Sequence, residues 1–346
     1  MGFRTGLHLD YLPPAELEAT RWAGVMGVAT FEGSRLGRRD PQVPVAEVGT
    51  PVLGDTGALC EVWRTRQTVE SGVRGGVRYT RSADMVFGCI AVKESQTPEP
   101  VAAGDRTPLY DATVQAYREI LGALDVLGCS NLIRVWNYVP EINRDTHGTE
   151  RYRQFNTARQ AALLASGRPV TGNVSAACAL GAAVGSPLVV YFLASHMTPT
   201  FIENPRQISA YHYPPQYGAR SPVFSRATVL HEPDGMTLFI SGTASIVGHR
   251  TIHAGDTAAQ TRETLTNIQA LLEEANRVTG SEEFTLEALA CKVYVRHPTD
   301  LPVIQAELRT ALGPTARAVY LQADICRRDL SVEIEATAMV APLAGA

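Results

Sequence analysis

Residues 117–127 read YREILGALDVL and residues 261–271 read TRETLTNIQAL. Arg118-Glu119 recurs as Arg262-Glu263, and Leu121, Leu124 and Leu127 fall on Leu265, Ile268 and Leu271. Apolar positions three and four apart form one face of an amphipathic helix, so each stretch predicts a helix with a single buried stripe. Each helix ends at a turn signal, Gly128-Cys129-Ser130 in the first and Thr279-Gly280-Ser281 in the second. Two helices of one pattern point to an internal repeat.

The flanking sequence extends the repeat. Ile133 to Pro140 and Cys291 to Pro298 are β-branched and aromatic runs closed by proline, and both read as strands. A second helix follows in each half, Arg151 to Ala165 and Asp300 to Leu312. Ser186 to Ala194 and Leu330 to Val340 close the units as β-rich stretches. A strand pair precedes each first helix: Gly76 to Val92 in one half, and Ala227 to Val247, with an Asp234-Gly235 turn, in the other. The order is β-β-α-β-α-β, twice, over residues 70–200 and 225–342. This predicts an α/β (α+β) protein of two mixed sheets with helices on one face of each. Residues 1–200 then form an N-terminal module with a Pro- and Gly-rich arm of extra strands or wrapping chain, and residues 201–346 a C-terminal module with a linker loop.

A chain of 346 residues can bury a sizeable core, and its 45% hydrophobic and 19% charged content is that of a globular protein. The net charge of −4 argues against nucleic acid as a partner. The longest apolar stretch, around Leu188 to Ala194, is too short to span a bilayer, and Met1 to Arg21 lacks a signal core. Six cysteines stand singly, which predicts reduced thiols in a cytoplasmic protein. His249 and His253 have metal-like spacing, but they lie outside any predicted helix and lack an acidic third ligand. No P-loop, dinucleotide fingerprint or nucleophile elbow is present, so neither metal nor cofactor is expected.

Three polar clusters invite chemistry. In Cys326-Arg327-Arg328-Asp329-Leu330-Ser331-Val332-Glu333-Ile334-Glu335, strand alternation puts Glu333 and Glu335 on one face, opposite Val332 and Ile334. Buried there, a glutamate would gain pKa and could serve as a general acid; the alternative is a solvent-facing sheet surface. The inter-module segment 203–226 carries Tyr211, Tyr213, Tyr217, Arg206, Arg220 and Arg226, a set suited to a planar dianion or simply to packing two modules together. On the predicted helix from residue 151, Arg151, Phe155 and Arg159 share a face, either for binding or as an exposed charged surface.

The stretch Met236 to Gly242, Gln260-Thr261-Arg262-Glu263 and the closing Glu333-Ile334-Glu335-Ala336 resemble the reactive-intermediate deaminase (RidA/YjgF) family. That likeness would make Glu333 an active-site glutamate and Arg317 a carboxylate-binding arginine. A wider resemblance, over about two-thirds of the chain, is to the chorismatase family. It rests on Arg134 to Pro140, Glu150 to Phe155, Glu203 to Gln207 with Ser209-Ala210-Tyr211, Tyr217-Gly218-x-Arg220-Ser221-Pro222 and Gly242 to His249. The resemblance implies a cofactor-free lyase of secondary metabolism that removes the enolpyruvyl group of chorismate as pyruvate. Cys326 resembles the branch forming 3-hydroxybenzoate, whereas an alanine there marks the branch that hydrolyses chorismate to a dihydroxycyclohexadiene carboxylate. Glu333 and Cys326 are then catalytic, and Arg151, Arg159, Tyr211, Tyr217, Arg220 and Arg226 bind substrate. The alternatives are the hydrolase, an imine/enamine hydrolase and a metabolite-binding protein. A duplicated chain could also satisfy its own interface and remain a monomer.

Overall fold

The computed structural model describes residues 6–20, 22–37, 40–55, 57–95 and 106–340. The first segment holds β1 (Leu7–Leu12), the short helix α1 (Pro14–Ala19), β2 (Val25–Glu32), β3 (Val45–Leu53) and β4 (Cys60–Thr65). Then come β5 (Glu70–Arg74), β6 (Val77–Arg81), β7 (Met85–Val92), α2 (Pro108–Leu127) and β8 (Asn131–Pro140). A small hairpin, β9 (Asp145–Thr146) and β10 (Thr149–Glu150), leads into α3 (Arg151–Ala165), β11 (Ala176–Ala182) and β12 (Leu188–Ser195). The last part opens with β13 (Thr200–Ile202), β14 (Ala227–Glu232) and β15 (Gly235–Thr243), followed by the hairpin β16 (Ile246–Val247) and β17 (Arg250–Thr251). It ends with α4 (Thr257–Thr279), β18 (Ala290–Val295), α5 (Leu301–Leu312), β19 (Arg317–Gln322) and β20 (Val332–Val340). Among the described residues, no helix is long and apolar enough to cross a membrane.

The duplication is visible in the strand order. One sheet runs β11-β8-β12-β7-β6 and the other β19-β18-β20-β15-β14, with β5 and β13 added at the ends. Equivalent neighbours also run in equivalent directions: β8 is parallel to β11 as β18 is to β19, and the remaining pairs are antiparallel. Each unit is therefore ββαβαββ, one strand more than the sequence pattern suggests. The extra strands are β11 (AACALGA) and β19 (RAVYLQ). Alanine and glycine carry little β-propensity, so β11 gives no strand signal of its own. Its parallel pairing needs a crossover, which α3 supplies.

Local chemistry sets the ends of the first helix of each unit, and the C-terminal ends are those the sequence marks. Thr107 caps α2 by accepting from the Tyr110 amide at 3.1 Å, and Asp256 caps α4 through the Ala259 amide at 2.9 Å. Gly128 and Gly280 close the same helices at φ 66° and 69°, a conformation that costs glycine nothing. Ile120, Leu121 and Leu124 of α2 and Leu265, Ile268 and Leu271 of α4 are buried, each contributing about 1.5–3 kcal/mol through burial.

The described residues between 7 and 65, expected as extra strands or a wrapping arm, have a definite architecture. They run β1-β4-β2-β3, with β2 parallel to β3 and antiparallel to β4, and β4 antiparallel to β1. This is the neighbour pattern of β7, β12, β8 and β11, with the six-residue α1 in place of the twenty-residue α2. The segment is thus a third strand set, stripped of its large helices. Through β3 it joins β19 (Leu53 opposite Tyr320), which places it on the second unit's sheet and not on the first's.

One core is shared by all three sets. It packs Phe31, Val48 and Trp63 of the first, Phe87, Trp136 and Tyr191 of the second, and Phe239, Tyr294 and Leu321 of the third. Trp136 stacks on Tyr191 with centroids 4.6 Å apart, and the hydroxyls of Tyr138 and Tyr294 meet at 2.8 Å. Separate cores lie beneath the helices of each set.

Candidate active site

β20 delivers both glutamates. Its odd positions Glu333 and Glu335 point away from Val332, Ile334 and Ala336, which fill the core under α4 and α5. They do not face water: Glu333 is 4% exposed and Glu335 5%, because the first unit's sheet covers that face. A buried carboxylate demands compensation, and the two glutamates receive very different amounts.

Glu335 is fully held. Lys292 Nζ lies 2.8 Å from Oε1, Arg134 Nη2 2.6 Å from Oε2, and Trp136 Nε1 donates to Oε1 at 2.7 Å. Burial alone would raise its pKa, but Lys292 and Arg134 bring it below the usual glutamate value. Glu333 has no ion pair among the described residues. Its carboxyl accepts only from the Cys326 thiol, at 3.9 Å. Burial, and then the charge of Glu335, push it up to about 8, against the opposing pull of Arg134 and Arg296. The Cys326 thiol is itself pushed up to about 12, by burial and by Glu333, so it is a neutral S–H at neutral pH.

Room for the acid comes from β15. A Cβ on Gly242 would lie 1.9 Å from Glu333 Oε1, so only glycine fits beside this carboxyl. The Ser241 hydroxyl beside it accepts from the Ala177 amide at 2.9 Å and donates to the Ser225 carbonyl at 2.6 Å, pinning the two units together at the site.

Glu333 lies where two cavities meet. The larger, about 780 Å³, is walled by the β9–β10 hairpin and the start of α3, by the 207–226 loop, and by the 326–329 turn. The smaller is a recess that shares Tyr152, Phe224, Gly242, Cys326 and Glu333 with the first and adds Phe155, Asn156, Arg159 and Cys178.

The residues singled out from sequence divide accordingly. Glu333, Cys326, Tyr217 and Arg226 line the large cavity, and Arg159 lines the recess. Arg151, Tyr211 and Arg220 line neither. Arg151 lies one turn before the recess, where it pairs with Glu94 and donates to the Pro140 carbonyl at 2.8 Å, tying α3 to β8. Tyr211 packs onto the apolar cluster of Leu121, Leu163, Val174 and Val223. Arg220 is exposed on the loop. Arg317, at the exposed end of β19, donates to the Leu9 carbonyl at 3.2 Å instead of reaching Glu333. His249 and His253 take different partners, the Tyr217 hydroxyl at 3.2 Å and Glu263 at 3.8 Å.

Arg327 belongs to the site although sequence reasoning did not select it. Its guanidinium lies 4.1 Å from the ring centre of Tyr217 and 5.2 Å from that of Tyr213, and Nη1 donates to the His249 carbonyl at 2.9 Å. Its Nη2, like the Nε of Arg226 and of Arg159, is buried without a hydrogen-bond acceptor. Buried donors are rarely left so, and two beside the large cavity with a third in the adjoining recess suit an anionic ligand. The run Cys326-Arg327-Arg328 contained the signal, but spacing in a turn cannot say which arginine faces inward. Tyr213 was likewise in the quoted loop, where its hydroxyl accepts from Arg226 Nη2 at 2.8 Å.

Comparison with known proteins adds to this geometry. The N-terminal family of FkbO/Hyg5-like chorismatases matches residues 61–194. A 3-hydroxybenzoate synthase of Streptomyces hygroscopicus is 38% identical over 293 residues, covering 81% of this chain and 82% of its own. The chain belongs to the chorismatase family. A chorismatase from the same organism is also 38% identical, over 81% of this chain and 79% of its own. A chorismatase crystal structure superposes with a TM-score of 0.85 at 34% identity, covering 96% of this chain and 98% of its own. That match spans the third strand set as well as the two helical units.

Proposed function

We propose that the chain converts chorismate to 3-hydroxybenzoate and pyruvate, with Glu333 as the acid that starts the reaction. The observation that carries this reading is a buried carboxyl without a cationic partner, beside a cavity edged by arginines with unused donors. Its support from relatives is the 38% identity to a 3-hydroxybenzoate synthase.

Chorismate carries an enol ether and two carboxylates. Protonating the terminal methylene carbon of the enol ether turns the enolpyruvyl oxygen into a good leaving group, which calls for a neutral acid at neutral pH. With its pKa near 8, Glu333 keeps its proton there. Arg327, Arg226 and Arg159 would hold the carboxylates and offset their mutual repulsion. Chorismate has the same atoms as 3-hydroxybenzoate and pyruvate together, so this reaction consumes no water, whereas hydrolysis to the diene diol does. Cys326, a neutral thiol against Glu333, would occupy space that an attacking water needs.

Purified protein with chorismate should release both products in the presence of chelator. Cys326→Ala should divert product toward the diene diol, which chromatography of the products would resolve. No pyruvate release would refute the activity, and an unchanged product ratio would remove Cys326 from the choice of branch. We further read the protein as a cytoplasmic monomer. Support comes from the core that all three strand sets share and from cysteines that form no disulfide among the described residues.

A further inference from the structure

We propose that Glu335 is a positioning residue for the reaction: a carboxylate locked in its charged form, it keeps Glu333 protonated and ready to donate. The proposal rests on the reading of Glu333 as the acid. Both side chains leave the same face of β20, one strand repeat (about 7 Å) apart. Between them they divide the available cations in one way only. Lys292 stands directly across from Glu335 on β18, and Arg134 reaches it from β8 of the other unit.

The far side of Lys292 is also taken. Its ammonium pairs with Glu61 of β4 and donates to the Tyr191 hydroxyl at 3.0 Å, while Trp63 Nε1 donates to Glu61 at 2.7 Å. Two cations and two carboxylates therefore close a buried network of no net charge, and neither cation pairs with Glu333. A buried ion pair of this completeness is costly to rearrange. The charge on Glu335 is thus a fixed part of the site.

The other groups facing Glu333 do not replace that influence. Arg296, past the end of β18, is committed to Asp324 at 2.6 Å and to the Leu330 carbonyl at 2.7 Å. Cys326 of the 326–329 turn, Cys178 of β11 and Tyr152 of α3 are neutral, each held high by burial. Arg134 pulls the other way, but its nearer engagement is with Glu335. The protonation of Glu333 also follows this order, burial acting first and Glu335 second.

The test is the pH dependence of kcat/KM for the wild type, E335Q, E335D and the charge-balanced double variant K292M/E335Q. In E335Q and K292M/E335Q the loss of activity at high pH should move to lower pH by about one unit or more, while E335D keeps the wild-type position. The double variant removes one cation with one anion, so it guards against an E335Q chain that fails to fold. A merely structural Glu335 would lower turnover and melting temperature with the profile unmoved, and that result in both variants would overturn the proposal. E333Q serves as the separate control. If it still turns over chorismate, the reading of Glu333 itself fails; if it is inactive and the E335Q profile is unmoved, only the role given to Glu335 fails.

Discussion

At Glu333 the fold holds an acid that water would ionise, and this has a consequence for stability. Its folded pKa, about 8, lies above the ordinary value of 4.5, so the folded state keeps a proton that the unfolded chain releases. The sign follows from linkage: this contribution is fully present below about pH 4.5 and is lost as pH rises through about 8. E333Q should therefore gain melting temperature relative to wild type as pH is raised across that window, and thermal melts at several pH values check it. Arg327 is the second residue with a clear expectation. Arg327→Met keeps the packing against Tyr217 but loses the donors, which should cost about 1.5–3 kcal/mol of substrate binding and raise KM ten- to a hundredfold. Steady-state kinetics with chorismate measures it, and an unchanged KM would take Arg327 out of the binding set. Strand alternation put Glu333 on one face with Glu335 and the family resemblance singled it out, whereas Arg327 was missed, because the turn at 326–329 has no periodicity from which to read a direction.

At the scale of elements, α3 does two jobs with one face. Phe155 and Arg159 border the recess, while Arg151, a turn earlier, anchors the helix to Glu94 and to the end of β8. Arg151→Ala should lower melting temperature through the unpaired Glu94 and the lost backbone contact while leaving KM close to wild type. A large rise in KM at unchanged stability would return Arg151 to the binding set. Helical spacing correctly put the three residues on one face, but it cannot say where along that face the cavity ends. The closing strand β20 is the complementary case. Its alternation gave the right pairing of Glu333 with Glu335, and left open whether that face met water or protein, since a period of two is the same in both. The opposite sheet, folded from residues about two hundred positions earlier, removed the choice.

In the whole molecule, three strand sets enclose one core, and the network beside the site draws on each: Glu61 from the first, Arg134 from the second, Lys292 and Glu335 from the third. Activity should therefore depend on the first set even though it lines neither cavity. Trp63 is fully buried in the shared core, 5.7 Å from Trp136. Trp63→Ala should destabilise the entire chain by about 3–5 kcal/mol, seen as one cooperative shift in chemical unfolding; loss of the first set alone, with the rest intact, would contradict a shared core. The sequence by itself determined the two helical units, where their helices stop and the strand carrying the glutamates, because periodicity and turn residues are local and act within a dozen positions. It also carried the family, through motifs spread over the chain. Only the tertiary structure decided that the N-terminal segment is a third strand set, that Arg327 and not Arg151 faces the cavity, and that Lys292 and Arg134 pair with Glu335 and not with Glu333. Those depend on which distant charges share a dry interior, and neither a residue type nor a spacing records that.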